Sequence, residues 1–481
     1  MKEETGRGLL ATFGVLLTLT CAGAPADAPS KSLPKVSLAQ ETRGFKTERG
    51  EPYHPFGVNY FRPGTGWAPQ LWKKFDADAT RGDFRRMKGL GVNCVRVFLT
   101  FGSFYTEPGV LASEGLAKFD QFLALAEEFG IYVHPTGPDH WEGLPGWARG
   151  DRIADPKVLD ALESFWRLFA ARYRGRNAIF AYDLLNEPSV PWDSAPLLEK
   201  WNRWLEREYG SKLKVAEAWQ SPGLPLEFGK IGIPPPKAAP GDKQLLDFQH
   251  FREEIADEWT RRQAAAIKAA DPEALVTVGF IQWSVPSLLP SVKQYAAFRP
   301  SRQAKYLDFL EIHFYPLAHG AYEYRDSEEE QMNLAYLEAV TREVAKPDKP
   351  VVVAEFGWYG GAKPTFDNGR HPAATEEQQA RWCRKVVETT AGLATGWLNW
   401  GLYDHPEARD VSQLTGLLSV EGELKAWGRE FQRLSRSLPK LSKTPPRPDP
   451  RPVLEWDRFV TNPKAAEQFR EDYLRAFRRM E

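Results

Sequence analysis

Ile179-Phe180-Ala181-Tyr182-Asp183-Leu184-Leu185-Asn186-Glu187-Pro188 is a short apolar run that ends in a carboxylate and a proline. Proline cannot donate to a β-ladder, so a strand must stop there. Val351-Val352-Val353-Ala354-Glu355-Phe356-Gly357-Trp358 repeats the plan, a strand of fully buried type with a glutamate near its end. Six further apolar runs share this length, at 56–61, 92–100, 131–136, 275–280, 309–315 and 396–403. Together they make eight candidate strands, over 56–61, 92–100, 131–136, 179–185, 275–280, 309–315, 351–356 and 396–403. The two glutamates fall on the fourth and the seventh.

Helical patterns separate the strands. Phe84, Met87 and Leu90 recur at helical spacing before a Gly91 stop, and Leu116, Phe119, Leu123 and Ala126 do so before Gly130. Asp155-Pro156 reads as an N-cap with proline at the first helical position, leading into Leu159, Leu162, Trp166 and Phe169. Thr375 with Gln378 fits a capping box. Strands alternating with helices in this way define an α/β chain with a parallel sheet, and eight such units imply a (β/α)8 TIM barrel over residues 51–435. The surplus over a plain barrel lies at 191–241, between strands four and five. That stretch holds Trp192, Trp201, Trp204, Trp219 and Pro234-Pro235-Pro236. It reads as a loop insertion on the C-terminal face, or as an extra packing subdomain without substrate contact.

The ends have a different composition. Lys2 and Arg7 precede an apolar run over 9–19, and Ala22-Gly23-Ala24 and Ala26-Asp27-Ala28 follow, as in an export signal over residues 1–24. The run is too short for a spanning helix, which needs about 20 apolar residues. The expected location is secreted or periplasmic, with lipid anchoring through Cys21 as the alternative. Residues 25–50 read as a flexible lead-in. Residues 436–481 read as a proline-rich linker and a short helical tail. Cys94 and Cys383 lie in a strand and a helix, and are expected as buried free thiols rather than a bridge. A large core must therefore hold the fold.

A formal net charge of −1 over 481 residues gives no electrostatic footprint for nucleic acid. No Cys/His cluster at zinc spacing and no glycine-rich phosphate loop is present, so no metal or cofactor is expected. Aromatic residues are abundant, with 17 Trp, 16 Tyr and 28 Phe. Rings fill cores, and they also stack on flat sugar faces. Two carboxyl groups at strand ends on the C-terminal rim of a barrel, where the loops converge, suit cleavage of a glycosidic bond with retention. One carboxyl donates a proton to the leaving oxygen while the other attacks the anomeric carbon.

The set of strand ends resembles the retaining β-glycosidases of glycoside hydrolase clan A, most closely family five, the cellulase and mannanase group, over roughly residues 53–430. The resemblance implies Glu187 as acid/base and Glu355 as nucleophile, with Asn186 on the sugar 2-hydroxyl. It implies that Arg96, in Val95-Arg96-Val97, keeps the nucleophile ionised. It places His313 beside the acid/base, Tyr315 on Glu355, and Trp400, in Asn399-Trp400-Gly401, under the reacting sugar. After strand three the family pattern is not met cleanly. Either His134 or His140 could serve there, and His140, nearer the loop, is preferred. Trp141, Trp147, Trp192, Trp283, Trp358 and Tyr359 are candidates for sugar stacking or for core. The implied substrate is a β-linked oligo- or polysaccharide, of the β-mannan or β-glucan class. Exo-acting β-galactosidase-like cleavage, transglycosylation and carbohydrate binding without turnover are the competing readings.

Overall fold

A computed structural model describes residues 32–479, apart from 66–67, 223–226, 288, 318–322, 367–369, 442 and 449. The proposed export signal and Cys21 lie outside these residues. Three short strands, β1 (Val36–Ala39), β2 (Gly44–Thr47) and β3 (Pro52–Tyr53), form an antiparallel sheet. The barrel strands follow as β4 (Phe56–Asn59), β5 (Cys94–Thr100), β6 (Tyr132–Asp139), β7 (Tyr182–Asn186), β8 (Val276–Gly279), β9 (Leu310–Phe314), β10 (Val351–Phe356) and β11 (Gly396–Trp400). Each of the eight runs read from the sequence overlaps one, with β6 and β7 extending past the read ends. They pair in parallel in the order β8-β7-β6-β5-β4-β11-β10-β9. Backbone bonds from Asp308 to Val276 (2.9 Å) and from His313 to Phe280 (2.8 Å) join the remaining two edges, so the sheet closes as a (β/α)8 barrel.

The helix stops and caps form where the sequence placed them. Gly91 and Gly130 end their helices in left-handed conformation. Asp155 accepts from the Lys157 N–H, and Thr375 and Gln378 complete the capping box. Strand register then sets which side chains meet. Asn59 pairs with Arg96 and with Trp400, Asn186 with Gly279, and His313 with Glu355. Cys94 and Cys383 are free and buried.

Two expectations about organisation are corrected. The stretch at 25–50 is no flexible lead-in over 36–47, because β1 and β2 pair there and Phe45 is buried against the N-terminal end of the barrel. The Phe45 ring meets Phe180 at 5.0 Å and Phe309 at 5.2 Å, both edge-on. A closed barrel leaves its lower end open to water, and this apolar plug covers it.

The insertion is helical rather than a loop. It holds Ala195–Tyr209 and Lys212–Ala218, and it leads into the long helix Lys243–Ala270. Its tryptophans pack on one another and on that helix. Trp201 stacks on Trp204 at 5.3 Å and on Trp219 at 6.2 Å, with Phe248 and Phe251 against it. Sequence periodicity is masked there by the prolines and by the aromatic content.

At the C-terminus, Pro463–Arg478 is a helix whose Tyr473 donates to the buried Glu338 at 3.1 Å. Arg451 and Arg342 also bond Glu338, at 2.8 and 2.9 Å, so the tail is packed onto the barrel. Among the described residues no helix is long and apolar enough to cross a membrane.

Phe45→Ala is expected to lower the unfolding free energy by about 3–5 kcal/mol, the usual cost of deleting a buried ring. Chemical denaturation checks this, and a change below about 1 kcal/mol would mean that the plug is not part of the core.

Candidate active site

The site starts from Arg96, midway along β5 and fully buried. Its Nη1 donates to Glu355 Oε1 at 2.6 Å and to Asn59 Oδ1 at 2.8 Å. Nη2 donates to Asp183 at 2.7 Å and to Asn186 Oδ1 at 2.9 Å. Burial opposes its charge, but Asp183 and Glu355 outweigh that and hold the guanidinium protonated.

Glu355 is almost wholly buried. Burial raises its carboxyl above the ordinary range, and the Arg96 guanidinium opposes the rise. The Tyr315 hydroxyl donates to its other oxygen at 3.0 Å. Burial and the neighbouring glutamates raise the tyrosine's pKa far above its ordinary value, so this hydroxyl stays a donor. A guanidinium and a phenol are thus both bound to Glu355, and each favours its ionised form.

Glu187 lies one residue beyond β7, with φ of 48°. That is the left-handed region, sparsely used by residues other than glycine and enriched at functional sites. Its N–H bonds the Gly279 carbonyl at 2.9 Å, which holds the turn. Burial raises the carboxyl to about 7, with Arg96 opposing and Asp139 adding to the rise. The two glutamates therefore differ in what surrounds them, the pattern that separates an acid from an anion in one site. His313, fully buried, is kept neutral chiefly by desolvation. Its Nδ1 lies 3.1 Å from Glu187 and 3.5 Å from Glu355. Oxygens of both glutamates and a nitrogen of His313 all lie within 4.8 Å of one another. Such a triplet could by spacing hold a cation, but the guanidinium 2.6 Å from Glu355 already supplies positive charge there.

A cavity of about 540 Å³ opens over this pair, lined by Trp141, Asn186, Glu187, Tyr315, Glu355, Trp358 and Trp400 among others. Trp400 is held by its indole N–H on Ser412 Oγ at 2.7 Å, and Phe61 and Phe98 pack behind it. The structure thus gathers Asn186, Glu187, Tyr315, Glu355 and Trp400 around one cavity, with Arg96 and His313 buried against the two glutamates.

Other expected residues fall elsewhere. His140 is half-exposed and bonds its neighbour Asp139 at 2.8 Å, and its ring stacks on Trp141 at 5.3 Å. It packs on Trp141 and does not line the cavity. His134 is buried lower in the barrel, bonded to Glu311 at 2.6 Å, so it does not fill the vacant role either. Trp192 is no stacking platform, because its indole N–H bonds Pro234 and Arg252 lies over its ring. Trp283 belongs to the core and is not among the cavity residues. Trp147 packs edge-on against Phe101 and Tyr105, and the Tyr359 hydroxyl bonds Pro372. Trp141 and Trp358 are the stacking candidates that line the cavity.

Sequence reasoning missed Asn59, Asp183 and Ser412, together with Arg370, His371, Arg409 and Asp410 in the cavity wall. Asn59 and Asp183 carried one signal, a polar residue inside an apolar strand. The wall residues sit in loops without pattern.

A barrel with two carboxyl groups at the C-terminal ends of its fourth and seventh strands defines the class of protein. The chain belongs to the cellulase family, glycosyl hydrolase family 5, whose family model matches residues 47–406. A β-xylosidase of Phanerodontia chrysosporium is 27% identical over 141 residues, 27% of this chain and 29% of that protein. A β-galactosidase of Thermus thermophilus is 26% identical over 247 residues, 45% of this chain and 37% of that protein. The matched segments span well under half the length of either relative. A GH5_18 protein of Streptomyces cattleya, solved with GlcNAc, shares the fold with a TM-score of 0.62 at 18% identity, over 89% of this chain and 91% of that one.

Glu187 has a defined linkage to stability. Its free carboxyl titrates near 4.5 and its folded one near 7, so the folded state holds the proton more tightly. The stability from protonated Glu187 is fully present below about pH 4.5 and lost as pH rises through about 7. Glu187→Gln stays neutral throughout. Its unfolding free energy should gain on the parent across this window, reaching about 3 kcal/mol by pH 8. Denaturant titrations at pH 4 and pH 8 check this, and an equal difference at both would contradict the raised pKa.

Proposed function

We propose that this chain is a retaining β-glycoside hydrolase with Glu187 as acid/base and Glu355 as nucleophile. The single observation that carries the reading is the approach of the two carboxyl groups within 4.8 Å across one cavity. Retaining enzymes space the pair at about 5–5.5 Å, while inverting enzymes leave about 6.5–9.5 Å for an intervening water.

In the first step Glu187 gives its proton to the glycosidic oxygen. Glu355 attacks the anomeric carbon, the bond to the leaving alcohol breaks, and a glycosyl ester forms. Glu355 has then lost its charge, so the Glu187 carboxylate is no longer opposed by a neighbouring anion and its basicity falls. Water enters, Glu187 takes its proton, and the new hydroxide attacks the same carbon to release the sugar and free Glu355. Asn186, held by Arg96, faces the sugar 2-hydroxyl, and Trp400 floors the reacting ring. His313 and Tyr315 orient the two carboxyl groups.

The substrate we propose is a β-linked oligo- or polysaccharide of the mannan or glucan class. The exo-acting, β-galactosidase-like alternative draws support from the Thermus thermophilus relative. The apolar run over 9–19 supports a secreted or periplasmic location, with lipid anchoring through Cys21 as the alternative.

A panel of aryl β-mannosides, β-glucosides, β-galactosides and β-xylosides, with matching polymers, tests the reading. At least one is expected to be cleaved, with kcat/KM falling above about pH 7 as Glu187 loses its proton. Glu355→Ala should cut that turnover by about 10³-fold or more while keeping the fold. Absence of cleavage across the panel, or equal rates in parent and variant, would favour a barrel that binds carbohydrate without cutting it.

A further inference from the structure

Asp183 takes no part in the steps above, yet the buried polar network converges on it. Its side chain has no solvent exposure. Oδ2 accepts from Arg96 Nη2 at 2.7 Å and Nε at 3.2 Å, and from the Thr136 hydroxyl. Oδ1 accepts from the N–H groups of Gly279 at 2.8 Å and Leu185 at 3.3 Å. Donors from β5, β6, β7 and β8 thus fix one carboxylate inside the barrel.

A guanidinium is a rigid plane, so gripping one edge aims the other. Asp183 holds the Nε–Nη2 edge. The opposite nitrogen, Nη1, then lands on Glu355 at 2.6 Å and on Asn59 at 2.8 Å. Gly279 leaves room for this arrangement, since a Cβ there would lie 3.0 Å from both Nη2 and the His313 ring. Charge matters as much as aim. In a region without water, Arg96 would present its whole charge to Glu355 and Glu187 if nothing offset it.

We propose that Asp183 is a positioning residue of the active site: it grips one edge of Arg96 so that the other meets Glu355, and it offsets part of the charge Arg96 presents to the two glutamates. The inference rests on the roles assigned to Glu187 and Glu355 above. The other titratable groups facing this network are Asp139 and His134 on β6, Glu311 and His313 on β9, and Tyr315 just beyond β9.

Asp183→Asn keeps the shape and removes the charge. Both glutamates then feel a more positive Arg96, so both should give up their protons at lower pH. Both limbs of the kcat/KM profile are expected to move down by about half to one pH unit, with kcat reduced about tenfold. A residue that only fills the barrel would lower Tm and leave both limbs in place, and that result would overturn the proposal.

Thr136→Val keeps the Asp183 charge and deletes one donor. It should lower kcat about threefold or more without moving the limbs. An unchanged kcat in this variant would also count against the proposal, and this variant decides if Asp183→Asn does not fold. If the parent cleaves no glycoside, the proposed function fails but the inference is still decided. Titrating Glu187 by NMR in protein carrying ¹³C-carboxyl glutamate should give a lower midpoint in Asp183→Asn than in the parent, and an identical midpoint would refute the offset.

Discussion

Arg96 carries a full charge where water does not reach it. Such a charge is tolerated only when its partners are close and directional, and removing one partner of a buried pair costs about 3–5 kcal/mol. Here the partners are Asp183 on one edge and Glu355 on the other. The barrel makes this possible, because parallel strands from distant parts of the chain bring β5, β7 and β10 to one interior. The same contact that satisfies the arginine favours the ionised form of Glu355. Glu187, which Arg96 reaches only through space, keeps its proton to about pH 7. Two identical side chains thus sit in different surroundings, one gripped by the guanidinium and the other set chiefly by burial.

The eight strands were legible because each is a short apolar run bounded by turn or helix signals, and buried parallel strands leave that trace. The two glutamates were legible because each interrupts such a run at its end. Their supporting residues came from the resemblance rather than from pattern, and Arg96, Asn186, His313, Tyr315 and Trp400 do meet at the site. Asp183 and Asn59 stand out only as polar residues within apolar strands. Nothing local says which interior layer such a residue occupies, since register is set by pairing with other strands.

The errors share a physical origin. A tryptophan near a loop reads the same whether it faces a cavity or a neighbouring helix, because the sequence does not record what lies opposite. Trp147, Trp192 and Trp283 found partners in neighbouring elements, so their surface went into packing. His140 was placed by its nearness to a loop, yet Asp139 and Trp141 draw its ring away from the cavity. The residues at 36–47 are polar enough to suggest a lead-in. Their structure depends on Phe45 meeting Phe180 and Phe309, contacts between positions far apart in the chain.

The division of labour between the glutamates is tested most directly by trapping the intermediate. A 2-deoxy-2-fluoro glycoside with a good leaving group slows breakdown of the glycosyl ester more than its formation, so the sugar stays on the nucleophile. Intact mass followed by peptide mapping should find one added sugar, on Glu355. A sugar on Glu187, or steady turnover of a cleaved substrate that leaves no adduct on either residue, would contradict the account.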